Sequence, residues 1–179
     1  LTGGKLGALL DFRNNLLPAY RSQLDTLAQS FADKVNDTLN AGIDQNGFSP
    51  TRNLFTYDAS IGAASTLAVT DITGSELAAA ANGDPGGNTN ALNLADLQNA
   101  GFLNGLTPAQ YYADLTAKVG DRMNAEKSNA SLQQQLLQQA QSVRSELSGV
   151  DINVEATKLL QLQKGFQAAG QVMSVLNSM

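Results

Sequence analysis

Residues 148–179, SGVDINVEATKLLQLQKGFQAAGQVMSVLNSM, predict a long amphipathic helix and so indicate the fold class. Apolar residues recur here at spacings of three and four, which places them along one face of a helix. They are Ile152, Ala156, Leu159, Leu162, Phe166, Ala169, Met173 and Leu176. Asp151 or Asn153 is placed to cap the first turn. An apolar stripe of this length must pack on another element. The sequence is consistent both with packing in an internal core and with an interface to another chain.

Two longer helical segments precede this stretch. The first covers residues 5–39, where Pro18 predicts either a kink near Leu17 or two helices with Pro18 in the first turn of the second. The other begins at Thr107 and Pro108, an N-cap followed by proline at the first helical position, and ends at Ser148 and Gly149. Six apolar residues of these segments are expected to form a rod core: Leu24, Leu27, Phe31, Leu132, Leu136 and Val143.

The residues between these segments lack a long helical pattern. Runs rich in β-formers at 54–57 and 66–70 are expected to pair as a small hairpin. Residues 75–81 predict a short helix capped by Ser75 or Thr73, and residues 90–98 predict another. Asp44 and Gly47 belong to a sequence that is typical of a turn. A calcium-binding loop that begins at Asp44 would need a Glu at its twelfth position, but that position is Phe55, so no calcium loop is predicted.

The sequence therefore predicts a mainly α fold, an elongated rod of antiparallel long helices with a small mixed α/β insert. Four parts are expected. Residues 1–42 form the first rod helix, with a kink at Pro18, and residues 43–105 form the insert. Residues 106–148 form the second rod helix, and residues 149–179 form a terminal amphipathic helix for assembly.

Composition excludes several functional classes. The chain has 179 residues, a formal net charge of −5 and neither Cys nor His, so thiolate catalysis, imidazole general-base chemistry and the usual zinc sites are unavailable. Its eleven Lys and Arg residues are scattered, which argues against nucleic acid as a partner. No stretch approaches the roughly 18 consecutive apolar residues of a membrane span. We expect no catalytic residue, no cofactor and no metal, and therefore no enzyme.

Two stretches resemble the flagellar hook-associated protein 1 family. The first is residues 3–18, GGKLGALLDFRNNLLP, with QLDTLA at 23–28, and it is similar to the segment where the family's chain returns to its central rod. The second is SGVDINVEA at 148–156 with Leu159, Gln163 and residues 166–169, similar to a C-terminal motif that hook and junction proteins share. The chain departs from that motif at Val154, where the family usually has Glu, and at Phe166, where it often has Tyr.

The resemblance implies a C-terminal fragment of a structural protein that joins hook to filament. It implies export without a cleaved signal peptide by the flagellar type III apparatus and assembly outside the cell. The implied partners are further copies of the chain, hook protein, the second hook–filament junction protein and an export chaperone. From the apolar stripe of the terminal helix, the expected contact residues for subunits or chaperone are Ile152, Leu159, Leu162, Phe166, Ala169, Met173 and Leu176.

Other functions stay open at this stage. Hook protein or another axial protein shares the C-terminal motif, although residues 3–18 favour the junction protein. A secreted coiled-coil binding module would need specific recognition by the insert. A cell-wall hydrolase fused to an axial protein would need a pair of carboxylates in a cleft, and the sequence shows no such pair.

Overall fold

A computed structural model describes residues 4–149 and 151–179 of the chain. Helices account for most of these residues, and the strands form two small antiparallel pairs. The predicted mainly α class, with long helices and a small mixed insert, is therefore confirmed. The helices are α1 (Gly4–Asp11), α2 (Leu17–Asn40), α3 (Ala63–Thr66), α4 (Thr89–Asp96), α5 (Pro108–Ser148) and α6 (Ile152–Asn177). The strands are β1 (Gly42–Ile43), β2 (Phe55–Thr56), β3 (Ala68–Val69) and β4 (Ala80–Ala81).

The chain divides into two compact units, Leu1–Arg122 and Met123–Met179. The first unit contains α1 to α4, all four strands and the beginning of α5. The second contains the remainder of α5 and the whole of α6. The candidate interface residues lie in the second unit, whereas the buried core lies in the first.

Pro18 changes the helix geometry without ending the helical path. Residues Phe12–Leu16 form a π-helical turn between α1 and α2, and Pro18 follows in the first turn of α2. Proline lacks an amide hydrogen and its ring crowds the carbonyl of the preceding turn, and the wider π turn accommodates both effects. The interruption predicted at Pro18 is therefore present as a π-helical turn that leads into a second helix.

The start of α5 lies antiparallel to α1 and α2 inside the first unit. Thr107 and Gln110 form a reciprocal capping box, in which each backbone N–H donates to the other side chain at 3.0 and 3.2 Å. Tyr111 then reaches the carbonyl of Gln23 at 3.4 Å, and Arg122 lies 3.9 Å from the carboxylate of Asp11. These two contacts run in opposite directions along the two segments, as antiparallel packing requires.

The insert contains one confirmed hairpin and one wrong prediction. Strands β2 and β3 pair antiparallel, with Phe55 opposite Val69, as the β-forming runs predict. Residues 75–81 do not form a helix. They contain a 3-10 turn at Gly74–Glu76, followed by β4, which pairs with β1. Burial overrides the helix propensity of the alanines here, because Ala80 is only 4% exposed beside Ile43.

The buried core lies where α2, the insert and the start of α5 meet. Its apolar residues are Ala32, Val35, Leu39, Ile43, Ala63, Ala78, Ala80, Leu103 and Leu115. The predicted rod core is wrong for most of its members, because Leu24, Phe31, Leu132, Leu136 and Val143 are 37–52% exposed. Helical spacing identified a real apolar face, but spacing alone does not show whether another element covers that face.

Candidate interaction surface

The terminal helix α6 presents its apolar side chains to solvent. Every described residue of this helix is exposed. The large predicted contact residues retain most of their accessible surface: Ile152 80%, Leu159 67%, Leu162 71%, Phe166 84%, Met173 70% and Leu176 63%. Ala169 is also exposed and lies on the same face by helical spacing. Contiguous apolar surface of this kind marks an interaction site in a stable protein.

The sequence determines where α6 begins. The Asp151 carboxylate accepts hydrogen bonds from the backbone N–H groups of Asn153 and Val154 at 2.8 and 3.3 Å. Asp151 is therefore the N-cap, and Asn153 lies inside the helix. One turn later, Lys158 donates to Glu155 at 2.7 Å. The last charged residue of the helix is Lys164, so residues 165–179 carry only uncharged side chains.

A second apolar strip lies on a different side of α6. Val172 and Val175 are each 59% exposed, and Leu160 is 58% exposed. Helical geometry separates these residues from the face of Phe166. This strip was not predicted, because the spacing of three and four residues that begins at Ile152 passes along the other face of the helix. The C-terminal half of α6 is thus apolar on more than one side and polar chiefly through glutamine and serine.

The second half of α5 shows comparable exposure. Leu132, Leu136, Leu137, Val143 and Leu147 are 48–84% exposed. Glu126 precedes this stretch, and Gln133 lies within it. The exposed part of α5 therefore forms a second candidate interaction face.

An apolar groove of about 470 Å³ opens in the first unit. Phe31 and Phe55 line it with their ring centroids 5.6 Å apart, and Gln98 supplies its single polar side chain. Its remaining walls come from α2, the residue before β2, the end of α4 with the turn that follows it, the loop at Phe102 and the start of α5. A groove with this lining can hold an apolar side chain, but it brings no acid, base or nucleophile to an occupant.

A ladder of polar side chains on α2 holds the insert in place. Each rung of this ladder is a hydrogen-bonded pair between α2 and the insert, and the insert residue comes later in the chain as the α2 residue comes earlier. The pairs are Asn40 with Asn53, Asn36 with Phe55, Asp33 with Tyr57 and Asp25 with Ala64. The insert chain therefore lies antiparallel to α2. These residues were not predicted as a site, although their spacing of three, four and eight residues puts them on one helical face.

Two rungs of this ladder carry charge. Tyr57 donates its hydroxyl hydrogen to Asp33 at 2.7 Å, and this hydrogen bond raises the pKa of Tyr57 above its ordinary value of 10.0. The Asp25 carboxylate accepts from the backbone N–H of Ala64 at 2.8 Å and lies beside Gly62, whose φ is +126°. Both carboxylates serve to anchor the insert rather than to form a catalytic pair.

The described residues contain no group of three or more His, Cys, Asp or Glu that could hold a metal ion. Within residues 4–149 and 151–179, no helix is long and apolar enough to cross a membrane. The described residues thus define a mainly helical protein whose helices α5 and α6 expose apolar side chains.

Comparisons with known proteins show which family this sequence resembles. The model of the flagellar hook-associated protein FlgK helical domain matches residues 1–55. Flagellar hook-associated protein 1 of Bacillus subtilis (strain 168) is 26% identical over 170 residues, or 88% of this chain. The resemblance to the hook-associated protein 1 family is therefore confirmed, and it supports a structural role in the bacterial flagellum.

The chain spans about a third of the length of that relative, 33% of its residues. The family match at residues 1–55 includes α1, the π-helical turn and α2. It thus covers the stretch at 3–18 and the α2 residues of the polar ladder. The exposed faces of α5 and α6 lie outside the part matched by the family model.

Proposed function

We propose that this chain is a structural, non-enzymatic part of the bacterial flagellum that joins hook to filament. The observation that carries the proposal is the exposure of α6, whose large apolar side chains all face solvent. Association with neighbouring axial subunits removes this surface from water, which is favourable by about 25 cal/mol per Å² of apolar area. The match to flagellar hook-associated protein 1 supports the same assignment.

The contact residues in this proposal are Ile152, Leu159, Leu162, Phe166, Ala169, Met173 and Leu176. The proposed partners are other copies of the chain, hook protein and the second hook–filament junction protein. Before secretion, an export chaperone covers the same face. The proposed location is the hook–filament junction outside the cell, after export without a cleaved signal peptide.

A rigid first unit suits a connector. The polar ladder and the reciprocal cap of α5 hold the insert and the helices of this unit together. We therefore propose that residues 4–122 form the rigid part of the connector and that residues 123–179 associate with its partners. Two carboxylates, Asp44 and Glu76, line one cleft of about 230 Å³, where Asp44 accepts from the backbone N–H groups of Asn46 and Phe48 and Glu76 pairs with Arg52.

The first test is amide hydrogen exchange across residues 152–177, with the chain alone and with the flagellar export chaperone. Exposure of the large apolar side chains predicts fast exchange in the free chain, because fraying costs little without tertiary contacts. Binding should slow exchange over the same residues. Unchanged exchange at saturating chaperone would contradict the chaperone contact.

The second test compares Phe166→Asp with Gln167→Asp. The two variants introduce the same charge at neighbouring positions, but only Phe166 lies on the proposed contact face. Phe166→Asp should weaken binding to the chaperone and to hook protein at least tenfold, whereas Gln167→Asp should bind as the unsubstituted chain does. Equal binding by both variants would overturn the assignment of this face.

A further inference from the structure

The sequence contains three Asn-Gly pairs, at residues 46–47, 82–83 and 104–105. Asparagine is a thermolabile residue, and a following glycine obstructs its side chain least, because glycine has no Cβ. The backbone nitrogen of the glycine can then attack the side-chain amide carbon of the asparagine. All three pairs lie in exposed turns, so exposure does not distinguish them. The hydrogen bonds around each pair do.

The turn at Asn46 and Gly47 restrains the reacting groups. The Gly47 N–H, whose nitrogen would have to act as the nucleophile, donates to the Asp44 carbonyl at 3.0 Å. The Asp44 carboxylate also accepts from the backbone N–H groups of Asn46 and Phe48, both at 2.8 Å. For attack, the Gly47 N–H must leave its acceptor and the backbone of Asn46 must rotate against these bonds. This pair is therefore protected in the folded chain.

A different constraint protects the pair at Asn104 and Gly105. Both residues have positive φ, +55° and +83°, as the two central residues of a tight hairpin turn do. The flanking residues, Leu103 and Leu106, exchange two backbone hydrogen bonds of 3.2 and 3.0 Å. Leu103 is only 1% exposed, so the core anchors this bridge. Rotation at Asn104 would break the bridge.

The pair at Asn82 and Gly83 is the least restrained of the three. It follows β4, and a single bond closes its turn, from the Asp84 N–H to the Ala81 carbonyl at 3.1 Å. In the part of the chain that the structure describes, the Gly83 N–H donates to no acceptor and the Asn82 side chain makes no hydrogen bond. A Cβ at Gly83 would meet nothing within 4 Å, so the space around the nucleophile is open.

We propose that Asn82 is the site at which this chain deamidates spontaneously, through a cyclic imide. The backbone nitrogen of Gly83 loses its proton to solvent and bonds to Cγ of Asn82, whose side-chain nitrogen takes a proton from water and leaves as ammonia. Water then opens the imide at either carbonyl. One opening gives aspartate, and the other gives isoaspartate, in which the main chain runs through the side-chain carbonyl carbon. Overall, one water is consumed and one ammonia is released, without oxidation or reduction.

The modification changes both charge and main-chain length at the end of β4. Either product adds one carboxylate, close to Asp84, to a chain whose formal net charge is −5. Isoaspartate also inserts one carbon into the main chain directly after Ala81, which pairs with Gly42 at the end of a two-residue strand. We therefore expect the hydrogen bond from Asp84 to Ala81 to be lost in the isoaspartate form. Ala80, which is 4% exposed, should stay in place.

The test is incubation of the full chain at mildly alkaline pH, with tandem mass spectrometry of peptides taken over time. Replacement of the amide NH₂ by OH raises the mass of each modified peptide. The rate at Asn82 should exceed those at Asn46 and Asn104 about tenfold, the order expected when the slower sites must first break one or two hydrogen bonds. Isoaspartate should accompany aspartate at position 82, because direct hydrolysis gives aspartate alone. Equal rates at the three sites, or aspartate alone, would overturn the proposal.

The same incubation in concentrated urea separates the effect of the fold from that of the sequence. The three rates should approach one another there, because the turns are lost. A tenfold lead of Asn82 that persists in urea would contradict the structural explanation, as would equal slowing of all three sites by folding. Asn82→Gln is expected to remove the fast product, because the longer side chain closes an imide less readily.

Asp44→Ala provides the matched control in the folded chain. It removes the carboxylate that restrains the turn at Asn46, so the rate at Asn46 should rise several-fold while the rate at Asn82 stays the same. An unchanged rate at Asn46 would show that these hydrogen bonds do not set the order of the sites.

Discussion

Asn36 pairs with the backbone of Phe55 as a strand would. Its Nδ2 donates to the Phe55 carbonyl and its Oδ1 accepts from the Phe55 N–H, both at 2.9 Å. Asn36 is only 5% exposed, so water does not compete effectively for these groups. A single side chain on α2 thus satisfies one edge of β2, while β3 pairs with the other. This contact fixes the hairpin to the helix.

Replacement of Asn36 by alanine should destabilise the first unit by about 1–3 kcal/mol, because two backbone groups of Phe55 lose their partners in a half-buried site. The measurement is urea unfolding followed by circular dichroism and tyrosine fluorescence. Asn40→Ala is the matched control, since Asn40 makes a 2.9 Å bond to Asn53 at an exposed position. That control should stay within about 0.5 kcal/mol of the unsubstituted chain. Equal effects at both positions would contradict the structural importance of Asn36.

Gly42 is required by close packing rather than by an unusual backbone angle. A Cβ at this position would lie 2.7 Å from the Ala80 carbonyl oxygen and would collide with the Asn90 amide. Asn90 is itself buried and donates to the Ala78 carbonyl at 2.6 Å, so it has little room to move. Gly42→Ala should therefore cost about 1–3 kcal/mol through overpacking.

The control for Gly42 is Gly74→Ala, because a Cβ at Gly74 meets nothing within 4 Å. Each Gly→Ala replacement restricts the backbone of the unfolded chain and so raises the stability by a similar amount. The difference in stability between the two variants therefore isolates the steric cost at Gly42. Thermal unfolding provides the measurement. A melting temperature for Gly42→Ala equal to that of Gly74→Ala would show that the β1–β4 contact relaxes without cost.

Local signals in the sequence predicted the ends of helices better than the packing between them. Thr107 with Pro108 and the Asp151 carboxylate mark the starts of α5 and α6, because capping depends on side chains a few residues away. The site residues on α6 were also placed on one face from spacing alone. The strand at Ala80 and the rung at Asn36 were missed because partners distant in the chain, Ile43 and Phe55, determine both.

Glu76 should titrate well below an ordinary glutamate. The backbone N–H of Thr73 donates to its carboxylate at 2.7 Å, the Thr73 hydroxyl at 2.9 Å and Arg52 at 2.9 Å, and these bonds lower its pKa from 4.5 to about 2. Since the pKa is lowered by folding, the associated stability is present above pH 4.5. It is lost as the pH falls from 4.5 towards 2.

Carboxyl NMR shifts recorded from pH 7 to 1.5 measure this pKa directly. Arg52→Gln and Thr73→Ala should each raise the pKa of Glu76, because each removes one donor. Neither should restore 4.5, since the backbone N–H of Thr73 remains and is the largest cause of the shift. A midpoint near 4.5 in the unsubstituted chain would show that the hydrogen bonds from Thr73 to Glu76 do not persist in solution.

Asp151→Ala should loosen the start of α6 while leaving the first unit intact. The substitution removes the acceptor for the Asn153 and Val154 amides, which costs about 1 kcal/mol of helix stability. Because every described residue of α6 is exposed, tertiary packing offsets little of this loss. Amide exchange should accelerate about fivefold over residues 153–158, as expected for that free energy. Residues 32–39 should exchange as before. Asp84→Ala, an exposed substitution in a loop of the insert, is the control, and identical exchange in α6 for both variants would contradict the capping assignment.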